Sequence, residues 1–451
     1  MRHYDLIVLG AGSGNMLLTE ELGHFRTAIV EPDLFGGTCL NRGCIPSKMF
    51  VLAADAAEDA RAAKRLGVHA SIAPVDWKTV RDRVFSRIDP LHGSAVDYRR
   101  KNSIDVYTEE AYFIAPKVVQ VGDERITADT FVVAVGSRPA VPHIPGLDSV
   151  PYHTSDTIMR IDELPTSMIV LGGGFIAAEF GHVFGAFGTD VTIVQRGPRL
   201  LMTEDKQVSA RFTELASRRH RVLLGARATS VQPRGGSVAV TVRGRHGEQI
   251  LEADLLLVCT GRRPNTDRLQ ALTGGLELDE HGHIATDNAY RTSVPGVWAL
   301  EDAANHFQLK HMANAETRLV RHNILHPEDV RTLTNKVAPH AVFTSPQIAS
   351  VGLTEQHARR HGIDYRVGVR AYADTAYGWA LEDTTSFVKI LGDPAERAIL
   401  GAHIIGPQAA TLIQPLIQAM TMGLTADQVG RDVLYIHPAL TEVVEQALLA
   451  L

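Results

Sequence analysis

The chain has 451 residues, with 45 Lys or Arg against 51 Asp or Glu and a formal net charge of −6. At about 150 residues per domain, this length indicates roughly three domains. A hydrophobic content of 45% and a charged content of 21% exclude a disordered chain. The negative charge, without a long basic run, argues against nucleic acid or an anionic membrane as a partner. A total of 3 cysteines is too few for a disulfide scaffold.

The sequence also bears on the compartment. No apolar stretch approaches the roughly 18 residues that a membrane span needs, and the first residues run directly into a strand pattern without room for a signal peptide. We therefore expect a soluble cytoplasmic protein with no membrane partner.

A strand, a glycine-rich turn and a second strand open the chain. Residues 4–10 form a short apolar run that ends at Gly10, and Gly12 and Gly14 follow. The pattern then predicts a helical stretch to about Gly23 and a second buried strand over residues 27–30. This order is typical of a βαβ nucleotide-binding unit.

The residue types at this turn suit a dinucleotide. Gly10 permits a tight turn, and Gly12 lets the backbone approach a pyrophosphate. Glu31 follows the second strand, where a carboxylate accepts hydrogen bonds from a ribose. Asn15 replaces the small third residue of the fingerprint. The alternative is a glycine-rich turn that binds nothing.

The same order recurs in the middle of the chain. Met168 to Leu171 is apolar, Gly172 and Gly174 precede a helix that carries Ala177 at the third fingerprint position, and the next strand covers 191–194. This repeat predicts a second nucleotide-binding unit.

The residues after that second strand indicate which nucleotide binds. An NAD site would place an acid there, whereas this sequence has Gln195, Arg196 and, close by, Arg199. Guanidinium groups favour a 2′-phosphate and hence NADPH. The alternative is that these arginines are solvated loop residues.

The last quarter of the chain has no nucleotide signature. Beyond about residue 335, strand-like segments precede two helical stretches, which together predict an α+β module: strands at 341–343, 386–391 and 400–405, and helices at 408–423 and 438–450.

Cys39 and Cys44 lie within a glycine-flanked segment that leads to Pro46. Five residues of regular helix would separate them by about 7.5 Å, whereas a disulfide needs Cα atoms within about 7 Å. A bridge therefore requires distorted backbone, and a helix starting at Pro46 would favour a thiolate. The alternatives are two structural thiols or half of a metal site, although no further Cys or His cluster completes metal ligation. Cys259 lies in an apolar strand and is most simply a core thiol.

His437 and Glu442 flank a second proline-containing helix start. A carboxylate at that spacing could orient and charge the imidazole as a general acid–base. Taken alone, helix capping is the simpler interpretation of the pair.

Together these motifs resemble the flavoprotein pyridine nucleotide-disulfide oxidoreductases, over essentially the whole chain. The resemblance implies an α/β fold with two Rossmann-like FAD- and NAD(P)-binding domains and a C-terminal α+β dimerisation domain. Its implied boundaries are 1–145 and 265–335 for a discontinuous FAD domain, 146–264 for the NADPH domain and 336–451 for the interface domain. It further implies a homodimer with FAD and NADPH as cofactors.

The resemblance also implies the chemistry. NADPH would reduce the flavin on one face, and the flavin would reduce a Cys39–Cys44 disulfide on the other. Cys44 would remain as the thiolate facing the flavin while Cys39 attacks a small-molecule disulfide. His437 of the partner subunit, held by Glu442, would keep Cys39 ionised and protonate the departing thiol.

The family pattern further implies the ligand contacts. Lys48 and Glu179 would lie beside the flavin N5, Phe175 would gate the nicotinamide site, and Glu301 replaces the glycine that usually precedes Asp302. The FAD residues would be Gly10, Gly12, Ser13, Gly14, Glu31, Gly37, Thr38, Lys48, Gly136, Ser137, Asp302, Met312 and Ala313. The NADPH residues would be Gly172, Gly174, Phe175, Ile176, Glu179, Gln195, Arg196, Arg199 and Gly261.

The substrate prediction depends on shorter segments. Among them are Phe35–Cys39, Tyr152–Thr157 and Ala376–Ala380, which resemble the family members that reduce mycothione. Glu20 and Glu21 would repel the carboxylates of glutathione, and Arg196 disfavours an NAD-linked lipoamide dehydrogenase. The alternatives are another low-molecular-weight disulfide reductase of the glutathione reductase type, a dihydrolipoamide dehydrogenase, or a flavoprotein of assembly or sensing without thiol turnover.

Overall fold

A computed structural model of the chain describes residues 1–245, 247–333 and 337–451. Its strands are β1 (Arg2–Leu9), β2 (Thr27–Val30), β3 (Asp105–Tyr107), β4 (Ala111–Ala115), β5 (Val118–Val121), β6 (Glu124–Val133), β7 (Ser137–Pro139), β8 (Ser167–Leu171), β9 (Asp190–Gln195), β10 (Arg221–Leu224), β11 (Arg227–Arg234), β12 (Ser237–Gly244), β13 (Gly247–Ala253), β14 (Leu255–Val258), β15 (Arg262–Pro264), β16 (Val297–Ala299), β17 (His340–Val342), β18 (Ile348–Gly352), β19 (Arg366–Ala371), β20 (Phe387–Gly392) and β21 (Ile399–Ile405).

The α-helices are α1 (Gly37–Asn41), α2 (Cys44–Ala62), α3 (Trp77–Lys101), α4 (Phe175–Ala186), α5 (Lys206–Arg219), α6 (Lys310–Leu325), α7 (Glu355–Arg360), α8 (Ala376–Ala380), α9 (Ala409–Leu412), α10 (Gln414–Met422) and α11 (Thr441–Leu449). Across the described ranges, none of these helices combines the length and apolar character that crossing a bilayer requires.

The first unit is built on a sheet in the order β3-β2-β1-β6-β5-β4, with β16 also paired to β6. Its central strands β1, β2 and β6 are parallel, and all of β2 is buried, as expected for strands covered on both faces. Val297 of β16 pairs with Phe131 of β6, so a segment far along the chain returns to the first sheet. This pairing fits a discontinuous first domain, whose boundaries remain a prediction.

The turn after β1 differs from the sequence-based expectation. In place of a regular helix to Gly23, short 3₁₀ turns cover Gly14–Leu17 and Glu20–Leu22. Thr19, between them, is extended with φ −114° and ψ 171°. Asn15 provides a physical reason, because a side chain larger than that of Gly or Ala at the third fingerprint position hinders close packing of a helix on the strand. Its side chain accepts a hydrogen bond from Arg99 on α3.

The second unit has the parallel order β10-β9-β8-β14, with α4 following β8. A separate antiparallel sheet of β11, β12 and β13 lies between β10 and β14 in sequence, and the apolar periodicity did not reveal it. The last unit is an antiparallel sheet in the order β17-β18-β21-β20-β19, packed on the C-terminal helices. The expected α/β class with a C-terminal α+β module is confirmed.

An aromatic cluster connects the first two units. Phe50 of α2 stacks on Trp77 at a centroid distance of 5.2 Å, and Trp77 lies 5.5 Å from Phe184 of α4. All three side chains are buried. Aromatic pairs of this kind contribute about 0.5–1.5 kcal/mol beyond the area they bury. The cluster therefore holds α2, which begins at Cys44, against α4.

Candidate active site

One large cavity of about 1880 Å³ is lined by residues from all three units. It brings together most residues that the sequence predicted for the flavin and the cysteine chemistry: Gly10, Gly12, Ser13, Glu31, Gly37, Thr38, Cys39, Cys44, Lys48, Gly136, Ser137, Glu179, Asp302 and Ala313. From the predicted NADPH residues it adds Phe175 and Ile176. Its wall does not include Gly14, Met312, Gly172, Gly174, Gln195, Arg196, Arg199, Gly261, His437 or Glu442.

The glycine-rich turn forms a cradle that a side chain would fill. Gly10 has φ +104°, and a Cβ there would lie 1.9 Å from the carbonyl oxygen of Ala134. A Cβ on Gly37 would lie 2.6 Å from the Cα of Gly12, so two loops of the chain touch through their backbones. This close approach lets a ligand come directly against the backbone of the turn, as the pyrophosphate of a dinucleotide does.

Glu31 stands at the end of β2 and faces the cavity. Its carboxylate accepts hydrogen bonds from the N–H groups of Ala11 at 2.8 Å and Asp33 at 3.1 Å. Burial raises the pKa of Glu31 above its ordinary value. The backbone contacts hold the carboxylate at the carboxyl end of the sheet, the position that a ribose hydroxyl would approach.

Asp302 lies at the other end of the predicted flavin site. The Ser137 hydroxyl donates to its carboxylate, and Arg262 Nε donates to the same hydroxyl at 2.8 Å. Met312 and Ala313 follow in the first turn of α6, where both are buried. Together with the glycine cradle, this polar cluster fits a flavin dinucleotide.

A backbone break brings the two cysteines close together. Helix α1 ends after Asn41, and Gly43 adopts φ −135° and ψ −118° before α2 begins at Cys44. A Cβ on Gly43 would lie 3.4 Å from the Cα of Cys39. The buried amide of Asn41 secures the loop, donating to the carbonyls of Phe35 at 3.1 Å and Gly37 at 3.0 Å.

The thiols of this pair have opposite acidities. Cys39 donates a hydrogen bond that, with the charge of Lys48, lowers the pKa of Cys44 to about 7. The same interaction, together with burial, raises the pKa of Cys39 well above the ordinary thiol value. In the reduced pair, Cys44 therefore carries the negative charge and Cys39 carries the proton.

Lys48 joins the cysteine helix to the second unit. Its Nζ lies 2.8 Å from both carboxylate oxygens of Glu179 on α4 and 4.7 Å above the ring of Phe343. Glu179 is buried and also accepts the backbone N–H of Phe343 at 3.0 Å. Residues of all three units thus meet one helical turn from Cys44.

The second nucleotide turn repeats the close backbone approach. Gly172 has φ +120°, and a Cβ there would lie 2.2 Å from the carbonyl oxygen of Cys259. Gly174 caps the start of α4, and the side chain of Phe175 is exposed at the cavity. Gly261, with φ +123°, has open space around its Cα. An exposed aromatic side chain at the start of α4 therefore lines the cavity beside this turn.

The residues after β9 differ in their hydrogen bonds and in their exposure. Gln195 Nε2 donates to the carbonyl oxygen of Arg199 at 3.1 Å, and Arg199 Nε donates to Ser209 Oγ at 3.2 Å. Arg196 is exposed. Of the two arginines, Arg196 is therefore better placed to meet a ligand from solvent.

His437 and Glu442 form the dyad that their spacing suggested. His437 Nδ1 lies 2.7 Å from Glu442 Oε1, and this contact lowers the pKa of Glu442. The His437 side chain is 71% exposed and lies outside the cavity that contains the cysteines. A single chain thus does not bring His437 to Cys39.

Lys310 is a site residue that sequence reasoning missed. Its Nζ lies 3.0 Å from Ser13 Oγ at the glycine-rich turn, and its charge acts on Cys39 and Glu301. A lysine at a helix start far along the chain carries no local motif. Only the fold, which brings α6 beside the turn, could reveal its position.

Comparisons with known proteins give a consistent result. The family model described as "Pyridine nucleotide-disulphide oxidoreductase" matches residues 4–317, and the corresponding dimerisation domain matches residues 338–448. The chain is 46% identical to mycothione reductase of Mycobacterium tuberculosis, covering 100% of both sequences. It is 32% identical to dihydrolipoyl dehydrogenase of Bacillus subtilis, covering 98% of this chain and 95% of that protein. The HOCl-induced flavoprotein disulfide reductase RclA from Escherichia coli has a TM-score of 0.86 at 26% identity, covering 98% and 99% of the two chains.

Proposed function

The chain belongs to the pyridine nucleotide-disulphide oxidoreductase family, and on that premise we propose that it uses NADPH to reduce mycothione to mycothiol. The observation that carries this proposal is the 46% identity with a mycothione reductase over the full length of both chains. The cysteine pair within the cavity supports a thiol–disulfide reaction.

The cavity fits FAD, which, when bound, relays the reducing equivalents of NADPH to the Cys39–Cys44 disulfide. Gly10, Gly12 and Gly37 would receive the pyrophosphate, and Glu31 would receive the adenosine ribose. Asp302 would hold the ribityl chain. Lys48 stabilises the Cys44 thiolate by its charge, and Glu179 orients Lys48.

Substrate reduction then follows from the acidities of the two thiols. Cys39 loses its proton and attacks one sulfur of the substrate disulfide, so that a mixed disulfide forms and the first thiolate departs. That thiolate takes up the proton. The Cys44 thiolate next attacks the Cys39 sulfur, which restores the Cys39–Cys44 disulfide and releases the second substrate sulfur as a thiolate that takes up a proton from solvent.

Cys39 needs a base because its pKa is raised in the single chain. We assign this base to His437 of the partner subunit in a homodimer. The dimerisation-domain match over 338–448 and the exposed dyad of His437 and Glu442 support the assignment. We also assign the enzyme to the cytoplasm, where protein disulfides are usually transient and catalytic.

The dihydrolipoyl dehydrogenases at 32% identity represent the second candidate activity. Arg196, exposed beyond β9 where an NAD site would carry an acid, favours NADPH instead. The argument against glutathione is weaker than the sequence suggested, because Glu21 is paired with Arg321 at 3.2 Å. Glu20 and Glu21 also lie outside the cavity wall.

The test is NADPH oxidation by the purified holoenzyme against mycothione, glutathione disulfide and lipoamide, with NADH as the alternative donor. We expect the highest kcat/KM for mycothione with NADPH. A preference for glutathione disulfide or lipoamide would reject the substrate assignment. Cys39→Ser is the control, since it should abolish turnover with every disulfide while FAD stays bound.

A further inference from the structure

Glu301 occupies an unusual position for a buried acid. It has φ +56°, a left-handed conformation that a non-glycine residue adopts at a cost of about 1 kcal/mol or more, and its side chain is buried. Its backbone N–H donates to Glu316 Oε2 at 2.7 Å. The surrounding structure thus holds both the backbone and the side chain in place.

The Glu301 carboxylate contacts the glycine-rich turn itself. Its Oε2 accepts the backbone N–H of Ser13 at 3.1 Å. Ideal Cβ positions on Gly12 and Gly136 would lie only 3.7 Å and 3.8 Å from Glu301 carboxylate oxygens. The acid therefore lies across the turn that the proposed function assigns to the FAD pyrophosphate and accepts one of its N–H donors.

Charges face this carboxylate from several elements. Asp302 is its acidic chain neighbour, and the acidic Glu316 of α6 contacts its backbone N–H. Lys310, also on α6, is the cation that acts on it. Burial and Asp302 outweigh Lys310 and the Ser13 contacts and raise the pKa of Glu301 to about 8.

A pyrophosphate would add two negative charges beside this group. An ionised carboxylate at van der Waals distance from the turn would oppose them strongly in a site that excludes water. The Glu301 side chain is buried at the wall of the cavity that the dinucleotide would fill, and its backbone is anchored, so the carboxylate stays beside the pyrophosphate. Neutralisation by a proton removes the repulsion, and a protonated carboxyl group can donate to a phosphate oxygen.

We propose that Glu301 controls FAD binding: its side chain holds the Ser13 N–H in the apoprotein, only its neutral carboxyl group admits FAD, and at alkaline pH, where the group is ionised, FAD binding is coupled to uptake of one proton by Glu301. This inference rests on the proposed function only in taking FAD as the dinucleotide of the first unit. It makes Glu301 a residue that sets the affinity for the cofactor and its pH dependence.

The test is FAD titration of the full-length apoprotein, followed by flavin fluorescence from pH 6 to 9. The variants are Glu301→Gln, which keeps shape but removes charge, Glu301→Gly, which also relieves the positive φ, and the exposed control Glu396→Gln. Wild type and control should bind about tenfold more weakly at pH 9 than at pH 7, because the carboxyl group is ionised there. Glu301→Gln should change less than about twofold.

Calorimetry in two buffers of different ionisation enthalpy gives a second readout. Wild type should take up about one proton per FAD at pH 9, and Glu301→Gln should take up none. Parallel pH curves for wild type and Glu301→Gln, or no proton uptake by wild type, would overturn the inference. If neither wild type nor any variant bound FAD at any pH, the proposed function itself would fail. This result differs from parallel pH curves and from absent proton uptake, both of which require that FAD binds.

Discussion

The Nζ of Lys48 lies 2.8 Å from both carboxylate oxygens of Glu179, and this ion pair joins the cysteine helix of the first unit to the nucleotide helix of the second. The two charges act on Cys44 in opposite directions: Lys48 lowers its pKa and Glu179 raises it. The pair therefore adjusts the thiolate while connecting the two nucleotide-binding units.

Replacing Lys48 and replacing Glu179 should shift the pKa of Cys44 in opposite directions. Lys48→Met removes the stabilising cation, so the Cys44 pKa should rise from about 7 and the thiolate fraction at neutral pH should fall several-fold. Glu179→Gln removes the opposing anion, so the pKa should fall. The measurement is the pH dependence of the long-wavelength thiolate-to-flavin absorbance in the reduced enzyme.

Lys48→Arg is the matched control for charge, and its titration should stay near that of wild type. A shift in the same direction for Lys48→Met and Glu179→Gln would show that the pair acts on packing alone. The chemical identity of the titrating group is checked with Cys44→Ser, in which the absorbance should be lost.

A subunit-mixing experiment tests whether His437 acts across a dimer. Cys39→Ser and His437→Ala homodimers should each be nearly inactive with the disulfide substrate. Refolded together at equal amounts, half of the dimers are mixed, and each mixed dimer has one site with both wild-type side chains. Activity should then recover to about a quarter of wild type. No recovery despite verified mixed dimers would mean that His437 serves its own chain or has no part in the reaction.

Arg196 should distinguish NADPH from NADH. It is exposed beyond β9, whereas Arg199 is only partly exposed and its Nε donates to Ser209. Arg196→Ala should raise KM for NADPH by about 10- to 100-fold, the value of a charge-assisted contact worth about 1.5–3 kcal/mol. KM for NADH should stay within about twofold, since NADH has no 2′-phosphate. Arg199→Ala is the comparison variant. If Arg196→Ala raised KM equally for NADPH and NADH, the assignment of Arg196 to the 2′-phosphate would be contradicted.

Local patterns predicted the features that depend on local chemistry. The apolar runs located β1, β2, β8 and β9, and a bridge at the cysteine spacing required the backbone break that Gly43 provides. These features depend on steric and hydrogen-bonding rules within a few residues. The C-terminal helices were found for the same reason, since their apolar spacing is strong.

Features that depend on distant segments could not be predicted in this way. The contact between Lys310 and Ser13 joins residues nearly 300 positions apart, and the orientation of Glu301 depends on Glu316 as well as on Ser13. Asn15, in the first 3₁₀ turn, accepts a hydrogen bond from Arg99, which lies more than 80 residues further along the chain on α3. Tertiary contacts of this kind override local propensity.

A buried charge cluster connects the second unit to the C-terminal sheet. Lys389 of β20 is 1% exposed, and its Nζ lies 2.8 Å from Asp205 and 2.6 Å from Glu355. Asp205 is fully buried and also caps α5 through the N–H of Gln207. The contacts with Lys389 hold the pKa values of both carboxyl groups below their ordinary range, against the opposing effect of burial.

Lys389→Met should therefore destabilise the protein far more than a surface change. Removing the cation leaves Asp205 ionised and buried, which costs about 3–5 kcal/mol. Because the folded pKa values are depressed, the pairing stabilises above the unfolded carboxyl pKa of about 4 and is lost as pH falls through the folded values. The deficit of Lys389→Met should thus be full near pH 7 and shrink as the pH falls below about 4, as measured by thermal unfolding. Lys101→Met, at an exposed position, is the control. A deficit that stayed constant with pH would indicate that lost packing is the cause. If the unpaired charge is the cause, adding Asp205→Asn to Lys389→Met should recover part of the lost stability.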